Sequence, residues 1–212
     1  MSGKFSNWLE ERTGFRTWSR RKGAQAVPSH VGWFHYCFGG LSLFIIVLQV
    51  LSGIFMVFFY KPEPLEALKS IEYLSNEVTL GWFFRNLHRW GSTLLIATIF
   101  THMIAVIHQR AYRNPRELNW VSGLLQFMVV FLLLATGLIL PWDWRAYWSF
   151  SIWVDYFATW PLVGDFLKNF LLDTFSINRS FVLHILVLPL TLFILLFFHF
   201  RMVKKHGISE PL

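Results

Sequence analysis

Four stretches of the sequence, near residues 33–59, 81–107, 118–140 and 181–203, stay apolar for longer than the roughly 20 residues that cross about 30 Å of hydrocarbon. Lipid offers no partner for backbone N–H and C=O groups, so each stretch has to be a helix that satisfies its own backbone. The predicted fold class is therefore all-α, a four-helix transmembrane bundle with an amphipathic N-terminal surface helix. Only 15% of the residues are charged, against about a quarter in soluble domains. The segment 1–30 is polar and lacks a short apolar core, so no signal peptide is expected. Phe5, Trp8 and Leu9 beside Glu10, Glu11 and Arg12 suit a helix lying on the membrane surface, extended by Trp18 and the run Arg20-Arg21-Lys22. Residues 1–30 are read as this surface segment and 31–212 as the transmembrane domain.

The formal net charge of +7 does not mark a nucleic-acid binder, because the charge is sorted by side. Four spans put the N-terminus, the 108–117 turn and the C-terminus together. That side holds 12 Lys/Arg against four acids, while loops 60–80 and 141–179 with Arg85 and Arg89 hold seven against eight. By the positive-inside rule both termini lie on the cytoplasmic or equivalent side. Lipid head groups are the expected partner of the excess basic charge, and no nucleic acid is expected.

Two of the spans carry histidines in a ladder. His88 and His102 are 14 apart, which on a helix sets the rings within about 40° of one face and about 21 Å apart along the axis. His184 and His199 are 15 apart, or about 60° and 22 Å. Ionisable residues inside a membrane are costly and point to function. Zinc or copper would need ligands converging on one point, which so wide a separation forbids. The spacing instead asks for two sites, each taking one histidine from each helix. Two trans imidazoles with no other protein ligand describe a six-coordinate haem, an electron carrier with no open position. Since both spans run outward to inward, His88 pairs with His184 at the outer level and His102 with His199 at the inner level. His30, His35, His108 and His206 fall outside the ladders. His35 and His206 are candidates to meet cofactor or quinone at the inner face, and solvated positions are the plainer expectation for both.

The other two spans carry glycines at the same interval: Gly39 and Gly53, then Gly123 and Gly137. Glycine costs a helix about 1 kcal/mol relative to alanine, and in membranes it stands where something approaches the backbone closely. Paired histidines on two helices and paired glycines on two others fit two flat macrocycles, one near each membrane face. Arg85 and Arg89 flank His88 and suit a cofactor that carries carboxylates. Loop 60–80 reads as a proline-terminated turn followed by a short amphipathic segment. Loop 141–179 is too long for a plain connector, so short surface helices are expected there. Their Trp and Phe residues suit an interfacial belt, and could also wall a lipophilic pocket. The single cysteine, Cys37, excludes an internal disulfide and alone reads as a small buried hydrophobe.

The pieces W-L-E-E-R, Y-C-F-G-G, R-N-L-H-R-W, P-R-E-L-N-W, L-P-W-D and K-K-H-G-I-S-E-P-L, with the 14 and 15 histidine spacings, resemble the cytochrome b6 family, the four-helix N-terminal half of the cytochrome b of bc-type complexes. The resemblance covers nearly the whole chain. It implies a dihaem domain with an outer b haem on His88 and His184, an inner b haem on His102 and His199, and a third, c-type haem attached through one thioether to Cys37. Arg85 and Arg89 match residues near outer propionates. Arg116 and Lys204 match basic residues near the inner haems, Lys204 standing where the family usually has Arg.

The resemblance further implies a subunit of a quinol:cytochrome c or plastocyanin oxidoreductase, in a bacterial cytoplasmic membrane or thylakoid. Quinol is oxidised at the outer face and quinone reduced at the inner face, coupled to proton translocation. The P-E-W-Y-type loop of the outer quinol site is not in this chain. It would belong to a separate subunit carrying the C-terminal half of cytochrome b. A Rieske iron–sulfur protein, a c-type cytochrome and a dimeric complex are the other implied partners. Within redox proteins the competing reading is a dihaem membrane anchor of a dehydrogenase or hydrogenase, which needs neither Cys37 nor L-P-W-D. Outside them, a transporter or channel could use the histidines as a proton relay.

Overall fold

The structure is a computed structural model that describes residues 2–14 and 33–207, with side chains from 3–14 and 37–207. Trp18, Arg20-Arg21-Lys22 and His30 lie outside the described residues, as does the side chain of His35. Regular structure among the described residues is helical: α1 (Ser2–Thr13), α2 (Trp33–Val57), α3 (Ala67–Asn76), α4 (Gly81–His108), α5 (Glu117–Ile139), α6 (Trp144–Ala158), α7 (Gly164–Thr174), α8 (Ile177–Val182) and α9 (Leu188–His206). A π-helical turn, Leu183–Val187, joins α8 to α9. Four segments are long and apolar enough to cross a membrane: Cys37–Val57, Gly81–His108, Glu117–Ile139 and the composite Ile177–His206.

Local chemistry sets the ends. Pro62 and Pro64 cannot continue a helix past α2. Asp143 caps α6 by accepting from the Ala146 N–H at 2.8 Å. Between α3 and α4, a Cβ at Gly81 would fall 1.8 Å from the Leu74 carbonyl oxygen, so only glycine closes that turn. The expected amphipathic segment of loop 60–80 is α3, and the expected surface helices of loop 141–179 are α6 and α7, which pack on each other.

The chain clusters into two units, and every spanning helix contributes a segment to each. The first comprises Met1–Phe44, Leu94–Val129 and Thr191–Leu212; the second comprises Ile45–Thr93 and Val130–Leu190. In the first, Leu95, Val129, Leu192 and Met202 are buried together with Ser42, Ser122 and Gln126. In the second, the largest fully buried side chains are Thr136, Ser52 and Ser180, all small and polar. Large apolar residues such as Phe131 and Leu138 point outward instead, 54% and 63% exposed. Such an interior of small residues under an apolar exterior is how helices associate where lipid replaces water. At one end of the second unit, Tyr60 donates to the Leu140 carbonyl at 2.6 Å, and burial pushes its phenol above its ordinary value, so it remains a donor.

Helix α1 is fastened within the first unit by its own C-terminus. Gly14 ends it in the left-handed region, at φ +62°. The last carbonyls of a helix lack intrahelical partners and carry partial negative charge. Here they are taken by Arg, Lys and His side chains from the last turns of α9. Lys205 donates to Glu10 and Glu11, His206 Nε2 to Arg12 at 2.7 Å, and Arg201 to Gly14 at 2.8 Å. Arg12, 6% exposed, stacks over Trp8 and pairs with Glu117 at 3.2 Å. Arg116 in turn donates to the His206 carbonyl at 3.1 Å. His206 is thus half-buried and bonded, which departs from the solvated position expected from sequence. A carbonyl from the opposite end of the chain claims its ring.

Replacing Arg12 by Ala removes charged hydrogen bonds that are each worth about 1.5–3 kcal/mol when shielded. Amide exchange of Ser2–Thr13 is then expected to accelerate at least about tenfold, a tenfold change being about 1.4 kcal/mol. Glu117→Ala should have the smaller effect, because Glu117 is 41% exposed. Unaltered exchange in Arg12→Ala would show that the clamp does not hold α1.

Candidate functional site

Each unit brings together two of the ladder histidines and two of the paired glycines. In the second unit, His88 from α4 and His184 from the π-helical turn face each other with ring centroids 6.1 Å apart and planes at 65°. Gly53 lies against His88 and Gly137 against His184. A Cβ built on Gly53 would stand 3.3 Å from His88 Cε1, and one on Gly137 only 2.8 Å from His184 Cε1. In the first unit, His102 from α4 lies against Gly39, with the built Cβ 3.1 Å from Cε1. His199 from α9 lies against Gly123, at 3.8 Å, and within electrostatic range of His102. The glycines therefore make room first for the imidazoles themselves, where the sequence pattern points to the edge of a macrocycle.

The one-residue mismatch between the two ladders has a local cause. In the turn that carries His184, the Leu188 N–H reaches the Leu183 carbonyl, five residues back. A π-helical turn holds one residue more than the α-helical turn it replaces. One residue is also the excess of the His184–His199 spacing over the 14 of His88–His102. The angular offset expected of an uninterrupted helix thus does not apply to this segment. Pro189 follows directly; it has no N–H to give and its ring crowds a preceding carbonyl, which favours a widened turn there.

Three hydroxyls that the sequence pattern does not single out fix the rings. Ser52 Oγ is 2.9 Å from His88 Nδ1, Thr136 Oγ1 is 3.1 Å from His184 Nδ1, and Ser122 Oγ is 2.9 Å from His199 Nδ1. Each hydroxyl donates its proton to a carbonyl of its own helix: Leu48 at 2.7 Å, Leu132 at 2.8 Å and Asn119 at 2.7 Å. Toward the ring each oxygen can then only accept, so Nδ1 carries the proton and Nε2 presents a lone pair. Their signal in the sequence is position, each standing immediately before one of the glycines. Gln49 has no comparable signal. Its Nε2 donates to the His88 carbonyl at 2.9 Å across the gap left by Gly91.

The remaining candidates are distributed unevenly. Cys37 is half-buried two residues before Gly39. Arg85 is half-buried and donates to Ser75 Oγ at 3.0 Å, while Arg89 is exposed. Arg116 serves the His206 carbonyl, and Lys204 is exposed beside Lys205, which serves α1. His108, outside the ladders, is exposed.

These donors fit one kind of group. Among the described residues no three His, Cys, Asp or Glu converge to hold a bare metal ion. Two neutral imidazoles bonded to one metal, at about 2 Å each, would have centroids roughly 6 Å apart. The 6.1 Å of His88 and His184 matches that separation.

Comparison with known proteins agrees. Residues 23–207 match the family described as Cytochrome b/b6/petB. The menaquinol:cytochrome c reductase cytochrome b subunit of Bacillus subtilis (strain 168) is 39% identical over the full length of both chains. Cytochrome b6 of Heliomicrobium gestii is 37% identical over 97% of this chain and 99% of its own. Among solved structures, a chain of a hyperthermophilic respiratory Complex III superposes with a TM-score of 0.77 at 30% identity, over 97% of this chain. This chain spans 56% of that one. Matched end to end by relatives of both kinds, on a fold with four apolar spans and facing histidines, the chain belongs to the cytochrome b/b6 family.

Proposed function

We propose that the chain is the cytochrome b6-type subunit of a quinol:cytochrome c or plastocyanin oxidoreductase complex. It carries electrons across the membrane between an outer quinol-oxidation site and an inner quinone-reduction site, coupled to proton translocation. The observation that carries the proposal is the facing of His88 and His184 at 6.1 Å over glycine-cleared helix surfaces, with Gly39, Gly123, His102 and His199 as the counterpart set. His88 and His184 would hold one b-type haem, and His102 and His199 the other. Held by two imidazoles, such a group would supply one-electron transfer.

The chain's own residues orient and insulate. Ser52, Thr136 and Ser122 hold three imidazoles through Nδ1, which would leave Nε2 to bind a metal. Gln49 ties α2 to the backbone of α4 at His88. Cys37 would bond a c-type haem through a single thioether, in keeping with its half-buried place two residues before Gly39. On the outer side Arg85 and Arg89 would face propionates; on the inner side Arg116 and Lys204 would do so. Guanidinium forks match carboxylates, and Lys204 offers a point charge instead. Residues 1–30 would form a surface segment and 31–212 the dihaem domain, with both termini on the cytoplasmic or stromal side.

Completion of turnover would fall to partners: a subunit with the C-terminal half of cytochrome b, a Rieske protein and a c-type cytochrome, in a dimeric complex. The names of the relatives support this assignment, one being a menaquinol:cytochrome c reductase subunit and another a cytochrome b6.

Reduced-minus-oxidised spectroscopy tests the pairing. His102→Ala and His199→Ala should each remove the same b-type component and leave the second; loss of both, or of neither, in folded protein contradicts it. Haem staining on a denaturing gel should follow the chain and vanish in Cys37→Ala, whereas a stain that persists rules out the thioether. The glycines should be graded. Gly137→Ala forces a Cβ to 2.8 Å from His184 Cε1 and should displace or remove the haem on His88 and His184. Gly123→Ala, at 3.8 Å from His199 Cε1, makes ordinary contact and should leave both components unchanged. Equal damage from the two would refute the steric account.

A further inference from the structure

Three of the four ladder histidines lie against a glycine that is immediately preceded by Ser or Thr: Ser52-Gly53, Ser122-Gly123 and Thr136-Gly137. In all three the hydroxyl sits 2.9–3.1 Å from Nδ1 and accepts from it. These contacts are shielded, since Ser52 and Thr136 are fully buried and Ser122 is 8% exposed. The fourth position breaks the pattern. His102 lies over Gly39 much as His88 lies over Gly53, the built Cβ standing 3.5 Å and 3.8 Å from the respective Nδ1 atoms. Yet the residue before Gly39 is Phe38, which has no hydroxyl to offer.

Resting on the bis-histidine reading above, we infer that Ser52, Ser122 and Thr136 are positioning residues that tune the two irons through their axial imidazoles, and that Phe38 withholds this contact from His102. A hydrogen bond given by Nδ1–H makes an imidazole a stronger donor to its metal. Stronger donation stabilises the oxidised iron and lowers its reduction potential, hydrogen bonding to the axial ligand being one of the protein's levers on haem. The His88/His184 pair has two such contacts and the His102/His199 pair has one. The first iron is therefore held at the lower potential by this difference, which favours electron movement from the quinol-oxidising side toward the quinone-reducing side. The asymmetry is written in one residue, Phe38, at a position where the other three contacts carry a hydroxyl.

Redox potentiometry of the intact complex, followed optically, tests this. The His184→Ala and His102→Ala variants assign each b-type component to its pair. Ser52→Ala should then raise the potential of the His88/His184 component and leave the other unmoved, and Ser52→Thr should restore it. Phe38→Ser, which supplies the missing hydroxyl, should lower the potential of the His102/His199 component alone. Should Ser52→Ala lose its haem, the Phe38→Ser arm decides the question. Both components present at unchanged potentials, or shifts of opposite sign, overturn the tuning role while leaving the haem assignment standing. A wild-type complex without any b-type component removes the haem assignment and this inference with it.

Discussion

Seating a bulky imidazole on the flank of a neighbouring helix is the constraint from which the rest of the bundle follows. His88 and His184 face each other at 6.1 Å, and a ring held in that position has to be backed by a helix with no side chain at that point. Alanine at position 137 would already intrude to 2.8 Å. Glycine admits the ring but contributes nothing to the interior, and three of the four ladder glycines follow a Ser or Thr. The largest fully buried side chains are Ser52, Thr136 and Ser180, while large residues such as Phe131 and Leu138 turn outward. In water such an inversion would be ruinous; in lipid the outer face is solvated and small residues let helices approach.

The same constraint explains two departures from regular geometry. A π-helical turn lies where His184 sits, absorbing the residue by which its ladder exceeds the other. Buried hydroxyls, ordinarily content with the carbonyl one turn earlier, keep that bond and accept a second from the ring. Both devices give up local regularity for the orientation of one side chain, which is the expected place for such departures.

Much of this is legible in the sequence because the period of the sequence is the period of the fold. Histidines at 88 and 102 and glycines at 39, 53, 123 and 137 announce themselves by matching intervals, and apolar runs bound the four spans within a few residues. What the sequence hides is carried by common residue types or by contacts between distant parts of the chain. Ser52, Ser122 and Thr136 stand beside the glycines, but serine and threonine are common on helices and do not by themselves announce a ring. The π-helical turn shows in sequence only as 15 in place of 14. The capping of α1 by Arg201, Lys205 and His206 joins the two ends of the chain, and no local pattern predicts it. For that reason sequence alone leaves His206 in solvent, where the fold bonds its ring to the Arg12 carbonyl.

The central claim, two iron porphyrins each gripped by one imidazole from α4 and one from the π turn or α9, is tested most directly by counting. Acid–acetone extraction of the purified complex, with haem quantified per copy of this chain, is expected to release two haems for each copy after the contributions of partner subunits are subtracted. One extractable haem per copy, or none, contradicts it.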